Sequence, residues 1–261
     1  MQIGIIADAP TLAKLPANIA VDFLEGWVAE CLMPEATDEA FAPRARELRT
    51  HRLPMPASNR FYPAHLKVIG PSVDAARLDQ HAAVAVRRAK EIGMSVIVFG
   101  SGPARTAPAG FSLATAFEQF VGLLKRIAPE AQRHGVVIAV EPLQRGESSV
   151  VNTILEGAEA VRRANHPAIQ LLVDSFHMVR NGESWDDILQ VAPLICHAHV
   201  SEDKDRAPLG THGDDLRPFL RALRRAGYDQ RLALEPVWTD IAAQAAPCVA
   251  ELRRQMADAG Y

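Results

Sequence analysis

Short apolar runs alternate with longer stretches of helical periodicity along the chain, the pattern of βα units that feed a parallel sheet. The runs predict strands at Ile3 to Ala7, Trp27 to Cys31, Phe61 to Ile69, Ser95 to Gly100, Val136 to Leu143, Ile169 to Asp174, Ile195 to Ser201 and Leu232 to Val237. Amphipathic helices are predicted over Asp74 to Ile92, Ala114 to Arg133, Thr153 to Ala164 and Leu216 to Ala226, with Gly93, Gly135 and Gly227 as helix C-caps. Thr153-Ile154-Leu155-Glu156 reads as a capping box. Eight such strands within 261 residues form the inventory of an α/β protein, a (β/α)8 barrel. An open doubly wound sheet uses the same inventory, although no GxGxxG follows the first strand. Leu53 to Pro63 is a Pro-containing segment of loop length only, so residues 1–261 are expected to form a single barrel domain.

Strands of an all-parallel sheet are covered on both faces, so a charge inside one requires a reason. On the four best-defined of the later strands such a residue stands at or near the C-terminal end: Glu141, Asp174, His199 and Glu235. Alternate residues of a barrel strand face inwards, which groups Val137, Ala139 and Glu141; Leu172 and Asp174; Ile195, His197 and His199; and Ala233 and Glu235. The four polar ends then point into one mouth, with His197 one layer deeper as a core histidine or a support for its neighbours. A lone carboxylate at a strand end is ordinarily a helix cap or half of a surface pair. Three converging carboxylates repel one another unless a cation holds them. Two Glu, one Asp and one His suit a hard or borderline divalent ion such as Mn²⁺, Mg²⁺ or Co²⁺.

Composition narrows the partners. The 28 Lys and Arg against 31 Asp and Glu leave a formal net charge of −3, without the basic surplus that a phosphate backbone demands, so nucleic acid is not expected. The three cysteines, Cys31, Cys196 and Cys248, have neither disulfide-framework nor zinc-site spacing, which fits a reducing cytoplasm. Met1-Gln2 leads straight into apolar residues with no basic leader, and no apolar run reaches about 18 residues, so a soluble, unprocessed chain away from membranes is expected. A homo-oligomer stays open. Gly100-Ser101-Gly102 with Arg105 could cradle a phosphate, but a turn is the commoner use of such a sequence.

Val140-Glu141-Pro142-Leu143-Gln144-Arg145-Gly146-Glu147, Val151-Asn152-Thr153, Val173-Asp174-Ser175-Phe176-His177, His197-Ala198-His199-Val200 and Leu234-Glu235-Pro236 together carry a resemblance. Over about residues 95 to 240 the chain resembles the xylose-isomerase-like TIM barrels of the sugar phosphate isomerase/epimerase superfamily, nearest the ketose 3-epimerases of the tagatose/psicose type. The resemblance implies a metal-dependent epimerase or isomerase of small carbohydrates. It implies ligation of one divalent ion, Mn²⁺ foremost, by Glu141, Asp174, His199 and Glu235, with Glu141 and Glu235 doubling as the acid/base pair. Glu147, His177 and Arg206 resemble the residues that hold the O1 to O3 end of the sugar. Arg206 follows His199 by seven positions, one more than the pattern, so its loop must bulge; His212 is the alternative. Asn152 is read as a helix cap rather than a substrate contact. A lyase or dehydratase acting on a keto-sugar or inosose would use the same enolate chemistry. Endonuclease-IV-like repair enzymes need further ligands that Phe99-Gly100-Ser101-Gly102 lacks. A non-catalytic sugar- or partner-binding barrel would leave the constellation idle.

Overall fold

In the computed structural model, which describes residues 1–261, eight parallel strands follow one another in chain order around a closed barrel. They are β1 (Gln2–Ile6), β2 (Phe23–Trp27), β3 (Ala57–Asn59), β4 (Val96–Phe99), β5 (Val137–Val140), β6 (Ile169–Asp174), β7 (Ile195–Val200) and β8 (Arg231–Leu234). The closing pair is β1 with β8, in register from Gln2–Arg231 to Ile5–Leu234. The surrounding helices are α1 (Ala9–Leu12), α2 (Val28–Cys31), α3 (Asp38–Thr50), α4 (Ala75–Glu91), α5 (Leu113–Arg133), α6 (Ile154–Ala164), α7 (Ser175–Asn181), α8 (Asp187–Val191), α9 (Arg217–Arg225) and α10 (Ile241–Ala259). None of them is long and apolar enough to cross a membrane.

Alternation along the strands creates two apolar surfaces. Ile97, Ile138, Val173, Ala198 and Leu232 join the large core shared with the helices, whereas Ala57, Val96, Val98, Ala139 and Leu172 pack together inside the barrel. Ile6, Phe23 and Ala233 form a second small interior cluster. Phe23 fits because β1 offers Gly4 there: a Cβ on Gly4 would stand 2.2 Å from the ring. The helices carry the expected punctuation. Asp74, Ser112 and Thr153 accept hydrogen bonds from the amides of Arg77, Thr115 and Glu156, and Gly93, Gly135 and Gly227 follow helix ends with positive φ. Of the expected capping box only the Thr153 half forms as such: the Glu156 carboxylate accepts from the Asn152 backbone N–H at 2.6 Å, one residue before the N-cap, rather than from Thr153.

Three sequence expectations are corrected. Trp27 to Cys31 is not a strand: Trp27 ends β2 and the next four residues form α2. Phe61 to Ile69 is also irregular, and the third strand lies just before it, inside the Leu53 to Pro63 segment whose composition predicts a loop. With three residues, β3 is too short to display a period. Finally, Ile195 does not share a face with His197 and His199. The β6/β7 register passes from Leu171–Ile195 to Leu172–His197, a bulge that leaves Cys196 as an extra residue. Ile195 therefore packs with the helix-side core while Cys196 and His197 both turn inwards.

Candidate active site

Each polar group at the mouth lies two positions beyond an interior residue: Glu25 after Phe23, Asn59 after Ala57, Glu141 after Ala139, Asp174 after Leu172, His199 after His197 and Glu235 after Ala233. The parity that packs the barrel floor thus aims six polar side chains at its C-terminal opening. Ligand atoms of Glu141, Asp174, His199 and Glu235 lie within 4.8 Å of one another. His199 Nδ1 is 3.3 Å from Glu141 Oε1 and 3.1 Å from Glu235 Oε2. Asp174 divides its labour: Oδ1 caps α7 by accepting from the Phe176 amide at 2.8 Å, leaving Oδ2 for the mouth. Gly100, where β4 would otherwise point inwards, keeps the space open for Glu141, since a Cβ there would stand 2.1 Å from Oε2.

The remaining sequence candidates reach the same place. His177 is buried, accepts from the Gln144 amide at Nδ1 (3.1 Å) and so presents a protonated Nε2, which stands 3.6 Å from Asp174 Oδ2. Glu147 is held by Gln144 Nε2 at 2.8 Å and lines the cavity. The loop after β7 does bulge: Asp205 and Arg206 adopt left-handed φ of 60° and 48°. This carries the Arg206 guanidinium over the Phe176 ring to donate to Glu235 Oε2 (2.5 Å) and Asp174 Oδ2 (3.1 Å). His212 remains exposed beside Asp205. Arg105 forms no phosphate cradle; it is fully buried and donates to Phe99 O and Ser148 Oγ. Asn152 is not the cap of α6, a place Thr153 takes, but ties its loop together through Leu143 O and Ser148 O.

Two residues at the mouth escape the sequence reading because their strands were displaced. Asn59 Nδ2 donates to Glu235 Oε1 at 2.7 Å. Glu25, wholly buried, meets His197 Nε2 at 2.7 Å and His199 Nε2 at 3.4 Å. The signal for Glu25 is present in Phe23-Leu24-Glu25-Gly26-Trp27, a short apolar run broken by one charge, as at Glu141, Asp174 and Glu235.

The electrostatics follow from this crowding. Burial pushes the Glu141 carboxyl up, reinforced by Glu235. Burial also acts on Glu235, but Arg206 and His199 overcome it and hold that carboxyl well below the usual range. For His199 the desolvation penalty is outweighed by Glu25 and Glu235, so its proton is held well above the ordinary value. Glu141 Oε1 is buried with no hydrogen-bond partner. One imidazole nitrogen and three carboxylates, one of them (Glu141) with an unsatisfied buried oxygen, fit a hard or borderline divalent cation. Above them lies a cavity of about 890 Å³ lined in part by Glu141, Glu147, His177, Arg206 and Glu235, within the range of small-molecule sites.

The molecule is a closed (β/α)8 barrel whose strand ends gather a cation-type donor set beneath a small-molecule cavity, at the C-terminal face where barrels of this fold build their sites. The chain belongs to the xylose isomerase-like TIM barrel family, whose pattern it matches over residues 19–256. It is 29% identical over 119 residues to the ketose 3-epimerase of Arthrobacter globiformis, covering 45% of this chain and 41% of that protein. With the D-psicose 3-epimerase of Agrobacterium fabrum it shares 32% identity over 114 residues, 42% of this chain and 38% of the relative. The chain thus spans about two fifths of the length of these curated relatives. The structure of a D-psicose 3-epimerase with D-tagatose from Clostridium cellulolyticum H10 shares the fold at a TM-score of 0.82 and 17% identity, covering 98% of this chain and 99% of that one.

Proposed function

We propose that the protein is a divalent-metal-dependent epimerase or isomerase of small carbohydrates, acting on a ketose or keto-sugar by proton transfer through an enediolate. The observation that carries this reading is the convergence of Glu141, Asp174, His199 and Glu235 beneath the cavity. The sugar epimerases among its relatives support it. These four residues would hold the ion, with Mn²⁺ favoured and Mg²⁺ or Co²⁺ as substitutes. Bound there, the ion supplies positive charge against the oxyanion that develops when a proton leaves the carbon beside a carbonyl.

The chain supplies the rest. Glu141 follows β5 and Glu235 follows β8, so the two carboxylates approach from different sides. One takes the proton from a face of the carbon, the other returns a proton to the opposite face, and the centre inverts. His177 Nε2–H and the Arg206 guanidinium face the cavity as donors for sugar oxygens, and Glu147 is an acceptor there. The substrate is expected to sit in this mouth, bound without nucleic acid or membrane.

Incubation with a panel of ketoses, keto-sugars and hydroxypyruvate in D₂O with Mn²⁺, read by NMR, tests the reading. Deuterium at C3 of a ketose with appearance of its epimer is the expected result, whereas exchange at C1 with an aldose product assigns the isomerase register. A dehydrated product assigns a lyase, and no exchange with any member sinks the proposal.

A further inference from the structure

We infer that Glu25 is a positioning residue: its carboxylate fixes the His199 ring so that Nδ1 faces Glu141 and Glu235. The inference rests on the reading of His199 as a ligand of the divalent ion. Glu25 projects from β2 across the barrel interior to β7, and Glu25, His197 and His199 are all sealed from solvent. No lysine or arginine pairs with this carboxylate; the groups that meet it are the two imidazoles. A carboxylate in such a place is strongly unfavourable unless hydrogen-bonded. Oε2 is satisfied by His197 Nε2 at 2.7 Å, which sets the plane of the carboxylate. Oε1 has no hydrogen-bond partner, nor does His199 Nε2, and these two orphans face each other at 3.4 Å. In a packed interior, groups so placed need only a few tenths of an ångström to join.

The chemistry of imidazole gives that contact its consequence. A ring that offers the Nδ1 lone pair to a cation carries its proton on Nε2, and a buried N–H requires an acceptor. Glu25 Oε1 is the acceptor at hand. The carboxylate therefore selects the tautomer, holds the ring angle and raises the basicity of Nδ1, as oxygen partners of ligating histidines do. His197 acts one step further back by holding Glu25, which explains a second buried histidine two residues from the first.

The test uses the full chain with Co²⁺ as probe. Glu25→Gln preserves shape, but its NH₂ end cannot accept, so one imidazole loses its partner. Expected are an unchanged far-UV spectrum, a 10- to 100-fold weaker Co²⁺ affinity by titration and an altered visible Co²⁺ spectrum. Glu25→Asp, too short to reach both rings, should restore only part of the affinity. Nitrogen-15 spectra of the Zn²⁺-loaded wild type give an independent readout: His199 should be protonated at Nε2. Affinity within twofold of wild type for Glu25→Gln, or an Nδ1-protonated His199, overturns the inference. Two Co²⁺ per chain also overturns it, because Glu25, His197 and His199 lie close enough to hold an ion themselves. If the wild type binds no Co²⁺, the ligand reading itself falls and takes the inference with it.

Discussion

At the scale of single residues, depth along β7 decides what each histidine does. Both His197 and His199 are buried, but His199 meets Glu141 and Glu235, whereas the only carboxylate His197 meets is Glu25. On the proposed reading of His199 as a ligand, His199→Ala is expected to lose more than about 100-fold in divalent-ion affinity, since a direct ligand outweighs the 10- to 100-fold of an outer partner. His197→Ala should instead lose about 2–4 kcal/mol of stability, from the cavity and the half-unpaired Glu25, with a smaller drop in affinity. Ion titration and thermal melts of the two variants separate these outcomes, and the reverse pattern would move the site one layer down. Arg206 raises a different point. Its guanidinium donates to Asp174 and Glu235, the same carboxylates a cation would use, so the two positive charges compete. Arg206→Ala should bind the ion more tightly, by about tenfold for each 1.4 kcal/mol of repulsion removed, yet show a raised KM for the sugar. Unchanged ion affinity would mean that the guanidinium swings clear when the site fills.

At the scale of elements, the α6 N-terminus pits burial against the preference of helix starts for negative charge. Glu183 accepts from the Ile154 amide at 2.7 Å, yet burial pushes its carboxyl up to about 7, with Asp187 and Glu156 adding to the effect. A raised carboxyl pKa means the folded state binds the proton more tightly than the unfolded chain does. Stability therefore falls as pH rises from the ordinary carboxylate value to about 7, and the full penalty applies above that. Glu183→Gln keeps an acceptor for the amide without the charge. It should be more stable than wild type at pH 8, by about 1 kcal/mol after allowance for partial exposure, with the gain gone once the pH falls below the ordinary carboxylate value, at about pH 3.5. Melting curves at both pH values check this, and an equal shift at both would point to packing instead. Elements also explain what the sequence could reveal. Strands β5 to β8 were legible with Glu141, Asp174, His199 and Glu235 because each is an apolar run ended by an ionisable residue. Helices α4, α5, α6 and α9 were legible because each joins an apolar stripe to a cap, an N-terminal Pro or a final Gly. Glu25 and Asn59 were hidden because β3 has three residues and the apolar Trp27 to Cys31 run, partly helical, drew the second strand four residues too late. The Cys196 bulge left no trace in hydropathy, since the extra residue is itself apolar.

At the scale of the whole molecule, two apolar layers hold the barrel together and the polar mouth sits on top of them. The fold is therefore expected to survive chelation, unlike that of a small zinc domain. The ion should still raise the melting temperature through mass action. At a hundredfold excess over Kd the linkage is about 2.7 kcal/mol, or roughly 5–10 °C for a chain of this size. Melts of EDTA-treated protein with and without Mn²⁺ measure it. Asp174→Asn should lose most of the increment, and an increment that survives in that variant would place the ion elsewhere. The β7 bulge bears on how such a barrel tolerates insertions and deletions over evolutionary time. Because Cys196 is supernumerary in the pairing with β6, the strand can shed it and still leave Ile195 outwards with His197 and His199 inwards. Removing Ala198 instead would turn His199 towards the helices and erase the mouth with every chemical group still encoded. Changes of length are thus absorbed below the histidine pair and are ruinous within it, so the bulge insulates the chemistry of this strand from drift in the loop that precedes it.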